Sequence, residues 1–140
     1  MISNEQREFL ERPGFAKLTT LDASGAPRAT VMWYRPVDDT LRMIAPAASV
    51  KAKHLARDPR VVVLIDAPDN GYHYIELRGQ AEVLHDDAGA REELRCIAAR
   101  YIGDDADAYA ASLSADPRVI IVIHPEHVRH HQGRPFSTSG

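Results

Sequence analysis

At 140 residues the chain suits a single domain spanning its whole length, and 44% hydrophobic residues are enough for one ordinary core. A net charge of −3 offers no general attraction to nucleic acid or to a membrane surface, so neither partner is expected. The lone cysteine, Cys96, excludes an intrachain disulfide, the first residues are too charged for a signal peptide, and no apolar run approaches the ~20 residues that span a bilayer; a cytoplasmic protein is the expectation.

Residues 3–11 read as a short helix, with Ser3 as N-cap and Gln6 closing a capping box, stopped by Pro13 and Gly14. Residues 15–21 and 28–34 read as the two strands of a hairpin around a turn at 22–25. A turn at Asp38 and Asp39 leads to a third strand, 41–45. The chain then crosses to a helix over 51–57, too short to stand without packing on the sheet. Residues 60–66, almost all valine, leucine and isoleucine, read as a strand buried on both faces. After a turn at 69–71, residues 72–84 alternate as a long strand, and Gly79 within it signals a bulge or a close approach.

Asp86 and Asp87 offer a cap for a helix to residue 101, whose apolar stripe is Leu94, Ile97, Ala98 and Tyr101 and which Gly103 ends. Cys96 reads there as a small buried hydrophobe. A second, alanine-rich helix follows over 105–113, then a strand over 118–123 with apolar residues on both faces, and a polar tail from Gln132. The sum is a mainly β fold with peripheral helices, six or seven largely antiparallel strands, and a closed or partly closed barrel. Two doubly apolar strands exceed what one small barrel needs, which predicts a homodimer.

The segment with most chemical content is 49–59. Ser49, Lys51 and Lys53 stand where a strand gives way to a helix, a place with unpaired backbone N–H groups and the positive end of a helix dipole. A hydroxyl and two ammonium groups there suit a phosphate. The competing reading is a pair of solvated lysines; the β-rich surroundings favour phosphate. Other polar clusters carry less. His124, His127, His130 and His131 read as exposed residues on an edge that frays, and His73 with Glu76 lies on a strand, without the spacing of a helical zinc pair. Asp104, Asp105 and Asp107 lack the glycine and distal glutamate of a calcium loop. No metal site, nucleophile or acid–base pair is expected.

The order of these elements, with the motifs Phe15-Ala-Lys-Leu, Gly25-Ala-Pro-Arg, Met32-Trp-Tyr, Ser49-x-Lys51-x-Lys53-x-Leu55-x-x-Asp58-Pro59, Leu77-Arg-Gly79 and the closing Arg118-Val-Ile-Ile-Val-Ile-His-Pro, resembles the flavin-binding split-barrel proteins related to pyridoxamine 5′-phosphate oxidase. The resemblance covers nearly the whole chain. It implies a homodimeric split β-barrel with cofactor sites between protomers. It assigns the cofactor phosphate to Ser49, Lys51 and Lys53, and the ring system to Met32, Trp33, Ile44 and Ala45. Tyr72 and Tyr74 would approach from the partner chain. The short length, the Ala45-Pro-Ala-Ala-Ser segment, the Arg57-Asp-Pro-Arg60 segment and the lack of an Arg-x-His ending resemble members that use the deazaflavin coenzyme F420. Arg57 and Arg60 would meet an acidic cofactor tail or simply end a solvated helix. The implied activity is hydride transfer with F420 to a small conjugated or aromatic molecule. The alternatives are an FMN-dependent oxidase or reductase and a non-enzymatic cofactor or haem carrier.

Overall fold

The computed structural model describes residues 2–133. Helix α1 (Asn4–Glu11) opens the chain under the expected box: Ser3 Oγ accepts from Gln6 N–H, and Gln6 Oε1 accepts from Ser3 N–H at 2.9 Å. Strands β1 (Ala16–Leu21) and β2 (Pro27–Met32) form the hairpin, whose turn is held by the Asp22 carboxylate accepting from the Ser24 and Ala26 N–H groups. Then come β3 (Arg35–Val37), β4 (Thr40–Pro46), α2 (Val50–Arg57), β5 (Arg60–Ala67), β6 (Asn70–Leu84), α3 (Asp87–Ile102), a 3-10 turn, α4 (Ala106–Ala111) and β7 (Arg118–Gln132). Gly103, at φ +56°, ends α3.

All seven strands join one antiparallel sheet in the order β2-β1-β5-β6-β7-β4-β3. The two edges, β2 and β3, are consecutive in the chain and separated only by Trp33 and Tyr34. Three Cα steps reach at most about 11 Å, so the sheet must curl until its edges nearly meet. The result is a barrel left open at one seam, the expected split barrel.

Three sequence expectations are corrected. The strand read as 28–34 stops at Met32, because Tyr34 turns into the core and Trp33 turns outward. The short strand β3 went unread; Pro36 within it is tolerated because β3 lies on the edge. The last strand runs nine residues past Ile123, paired with β6 as far as His73 opposite Gln132, so the histidine stretch is ordered sheet. Gly79 does mark a bulge: the register slips there, and a Cβ would collide with the carbonyl oxygen of His124. Of the polar tail, residues 134–140 lie outside the described residues.

The inner face is one apolar core containing Leu18, Leu41, Met43, Val63, Ile65, Ile75, Leu77, Ile121 and Ile123. Tyr34 is wholly buried in it. Its hydroxyl sits 2.9 Å from the Leu10 carbonyl and 3.0 Å from that of Arg12, while its N–H donates to the Tyr101 hydroxyl. Tyr101 in turn donates to the Gly14 carbonyl at 2.6 Å. The end of α1, the seam and α3 are thereby fastened at one place.

The outer face divides. Over β4 and β7, α3 packs on Ile120 and Val122, with Ile44 and Leu84 beside them, so residues 119–123 of β7 are buried on both faces within the chain. Glu93 on α3, only 5% exposed, takes a two-pronged bond from Arg35 at 2.6 and 2.9 Å and another from Arg42 at 3.3 Å. Over the outer face of β2, β1 and β5 no helix packs among the described residues. The expectation that β5 is buried on both faces fails within the chain: Val61, Val63 and Ile65 face the core, whereas Leu64 is 37% exposed. Cys96 also departs from expectation. It sits off the buried stripe, half-exposed beside Glu92.

Candidate functional site

Helix α2 crosses the end of the barrel where β4 finishes. Ala52, His54 and Leu55 point inward and fix its face. His54 Nδ1 lies 2.8 Å from Thr20 Oγ1, and both residues are buried, so a polar pair locks α2 to β1. Sequence reading missed this pair, since nothing local marks a histidine and a threonine 34 positions apart as partners.

Ser49 caps α2, its Oγ accepting from Ala52 N–H at 3.3 Å. The hydroxyl hydrogen remains available to donate. Lys53 N–H bonds to the Ser49 carbonyl, leaving the N–H groups of Val50 and Lys51 as the orphan donors of the helix start. No acidic residue lies in the first turn. Among the described residues neither Lys51 nor Lys53 makes an ion pair or a side-chain hydrogen bond. Two residues at 100° each set their side chains on different sides of the helix, so one anion can meet both only off its N-terminal end. That end also presents the free N–H groups. The donor set fits a phosphate. Arg57 and Arg60 stand at the other end of α2. Arg60 is paired with Asp58 at 2.7 Å, and that guanidinium holds the Asp58 carboxyl down at about 2.

Beside the junction, a cleft of about 260 Å³ opens between the outer face of the sheet and the α3–α4 pair. Met32, Trp33 and Ile44 form its sheet side. Leu94, Ile97 and Tyr109 form its helix side, and Arg118 lies at its edge, paired in register with Pro46. Trp33 stacks on Tyr101 with ring centres 4.9 Å apart and planes 5° apart, and meets Tyr109 at 5.5 Å. Burial pushes the Tyr101 hydroxyl above its ordinary pKa, keeping it a neutral donor.

Three of the four residues expected along the ring system, Met32, Trp33 and Ile44, come together in this cleft. Ala45 sits next to them in sequence with its side chain in the core. Ser49, Lys51 and Lys53 follow at the adjoining helix start. Tyr72 and Tyr74 do not line the cleft: Tyr74 stacks on His131, and Tyr72 is exposed at the start of β6. Tyr109 and Arg118 were not singled out from sequence. Their place depends on α3 and α4 folding back over β4 and β7, which no local pattern records.

Residues 2–132 match the family described as pyridoxamine 5′-phosphate oxidase. Among solved structures, an F420 reductase is 30% identical, with a TM-score of 0.73 and coverage of 88% of this chain and 94% of that one. A conserved hypothetical protein from Mycobacterium tuberculosis is 22% identical with a TM-score of 0.78, covering 100% and 96% of the two chains. A putative pyridoxamine 5′-phosphate oxidase from Listeria innocua is 23% identical with a TM-score of 0.66, covering 91% and 95%. No curated protein matches the chain.

Proposed function

The chain belongs to the pyridoxamine 5′-phosphate oxidase family, and from that premise we propose that it is an oxidoreductase that uses the deazaflavin F420 on a small conjugated or aromatic substrate. The observation that carries this reading is the junction of two features. A helix start with free N–H groups and two unpaired lysines adjoins an aromatic-walled cleft. Lys51, Lys53, the Ser49 hydroxyl and the Val50 and Lys51 N–H groups would hold the phosphate. Met32, Trp33 and Ile44 would flank the ring system and exclude water. Bound there, the deazaflavin supplies hydride transfer, and the protein supplies position and a dry wall.

The likeness to an F420 reductase supports the deazaflavin over other cofactors. FMN is the second reading, favoured by the donor set itself, which asks only for a phosphate. A homodimer is part of the proposal, because the bare face over β2, β1 and β5 and the remote Tyr72 and Tyr74 both call for a second copy. A cytoplasmic site of action is also part of the proposal. No helix among the described residues is long and apolar enough to cross a membrane.

The test is a pair of titrations, F420 and FMN, read by each cofactor's absorbance. Tighter binding of F420 is expected. Tighter binding of FMN, or its stoichiometric co-purification, transfers the assignment to FMN. A Soret band with no affinity for either supports a haem carrier.

A further inference from the structure

One charge in the cleft has no counterpart. The Nε of Arg118 is buried without a hydrogen-bond partner, and its guanidinium makes no ion pair among the described residues. The nearby carboxylate, Asp87, is already engaged. It accepts the Arg118 backbone N–H at 2.9 Å and the Arg91 Nε at 3.0 Å. One acid thus faces two arginines, and Arg91 holds it. The sheet and helix walls of the cleft are apolar or aromatic and offer Arg118 no carboxylate. Arg35 and Arg42, under the same helix, differ in that both close on Glu93, although the Nε of Arg42, like that of Arg118, is buried without a partner of its own. The residue is half-buried, and an Nε–H withdrawn from water and left unused is costly unless an acceptor meets it.

We propose that Arg118 is the anchor for an anionic group, a carboxylate or phosphate, on a ligand whose planar body lies against Trp33 and Tyr109. This rests on reading the cleft as the ligand site. The planar guanidinium matches two anionic oxygens at once, which an ammonium cannot do. The substrate class it selects is a conjugated or aromatic acid. An anionic oxygen of the cofactor is the other source of the same chemistry, because Arg118 adjoins the strand end that leads to Ser49.

Trp33 is the only tryptophan in the chain, so its fluorescence reports occupation of the cleft. The probes are cinnamate and its uncharged methyl ester, titrated into the full chain and into Arg118→Gln. Cinnamate is expected to bind the natural protein about tenfold or more tightly than the ester, and Arg118→Gln to abolish that preference without weakening the ester. A parallel titration of F420 sorts the source of the anion. Unchanged cofactor affinity in the variant assigns it to the substrate. A loss of about tenfold, with acid and ester equal in the natural protein, assigns it to the cofactor. Equal binding of acid and ester together with unchanged cofactor affinity overturns the proposal. Should Arg118→Gln not fold, Arg118→Lys serves, expected to keep part of the preference. Failure of the deazaflavin reading would show separately, as no F420 binding to the natural protein, and leaves the comparison of acid and ester intact.

Discussion

One sheet presents two different outer surfaces. Over β4 and β7, α3 covers Ile120 and Val122, and the Glu93 clamp ties that helix to β3 and β4. Over β1 and β5 no element lies among the described residues, and Leu64 faces outward at 37% exposure; Val31 on β2, 64% exposed, borders the open cleft beside α3 and α4. In the sequence β5 and β7 are similar runs of branched aliphatic residues. Composition therefore cannot say whether a strand is covered by its own chain or by another. The uncovered half also contains β2, exposed at nearly every position, although Thr30 lies opposite core-facing Leu18. A protomer that ends its barrel on such a strand presents a surface of the kind that association covers.

The sharpest break of the comparison is a matched pair of aspartates. Val122→Asp places an unpaired carboxylate beneath α3 and should cost about 4 kcal/mol or more in urea unfolding. Leu64→Asp should change folding of the protomer by no more than about 0.5 kcal/mol. In the sedimentation of the proposed dimer, however, it should shift mass to the monomer. Equal losses of stability from both would erase the distinction between the halves. Next in size is Glu93→Ala, which strands Arg35 and Arg42; about 3 kcal/mol is expected, at the low end for a buried pair because both arginines are partly wet.

The double variant Lys51→Ala and Lys53→Ala probes the border between the halves. Cofactor affinity should fall by about 3 kcal/mol, counted from two charge-assisted bonds, with folding little changed. Unaltered titration curves would remove α2 from the site. The smallest effect concerns His130, whose Nε2 is 3.0 Å from that of His73. Burial, then the His73 charge, lowers its pKa from 6.5, with Glu5 opposing. The unfolded chain then binds the extra proton more readily, so this stability is complete above about pH 6.5 and declines as pH falls below it. The urea midpoint should drop modestly between pH 7 and pH 5, and His130→Gln should flatten that slope.

The sequence revealed most where structure is local. The Ser3 box and the hairpin at Asp22 each involve neighbours a few positions apart, Gly79 marks its bulge by residue type alone, and each stands where expected. What escaped reading was long-range. The outer face of β5 stays uncovered because no helix follows it, while the outer face of β7 is covered because α3 precedes it. Arg118 opens a strand in the sequence and edges a cleft in the fold. His54 and Thr20 meet only because α2 docks on β1. For the candidate site, the lysine-bearing helix start was legible as a motif, Met32, Trp33 and Ile44 only by resemblance, and the cationic edge not at all.

The fastening at Tyr34 carries a further meaning. It joins the carbonyls of Leu10 and Arg12 to the seam and, through the Tyr101 hydroxyl, to Gly14 and α3. Trp33, the neighbouring residue, rests face to face on that same Tyr101. Whatever presses on the indole therefore presses on a rivet shared by three otherwise separate pieces of chain. Occupying the cleft should be felt at the amino-terminal helix as slower amide exchange around Gly14, on a different element from the lysines proposed to hold the phosphate.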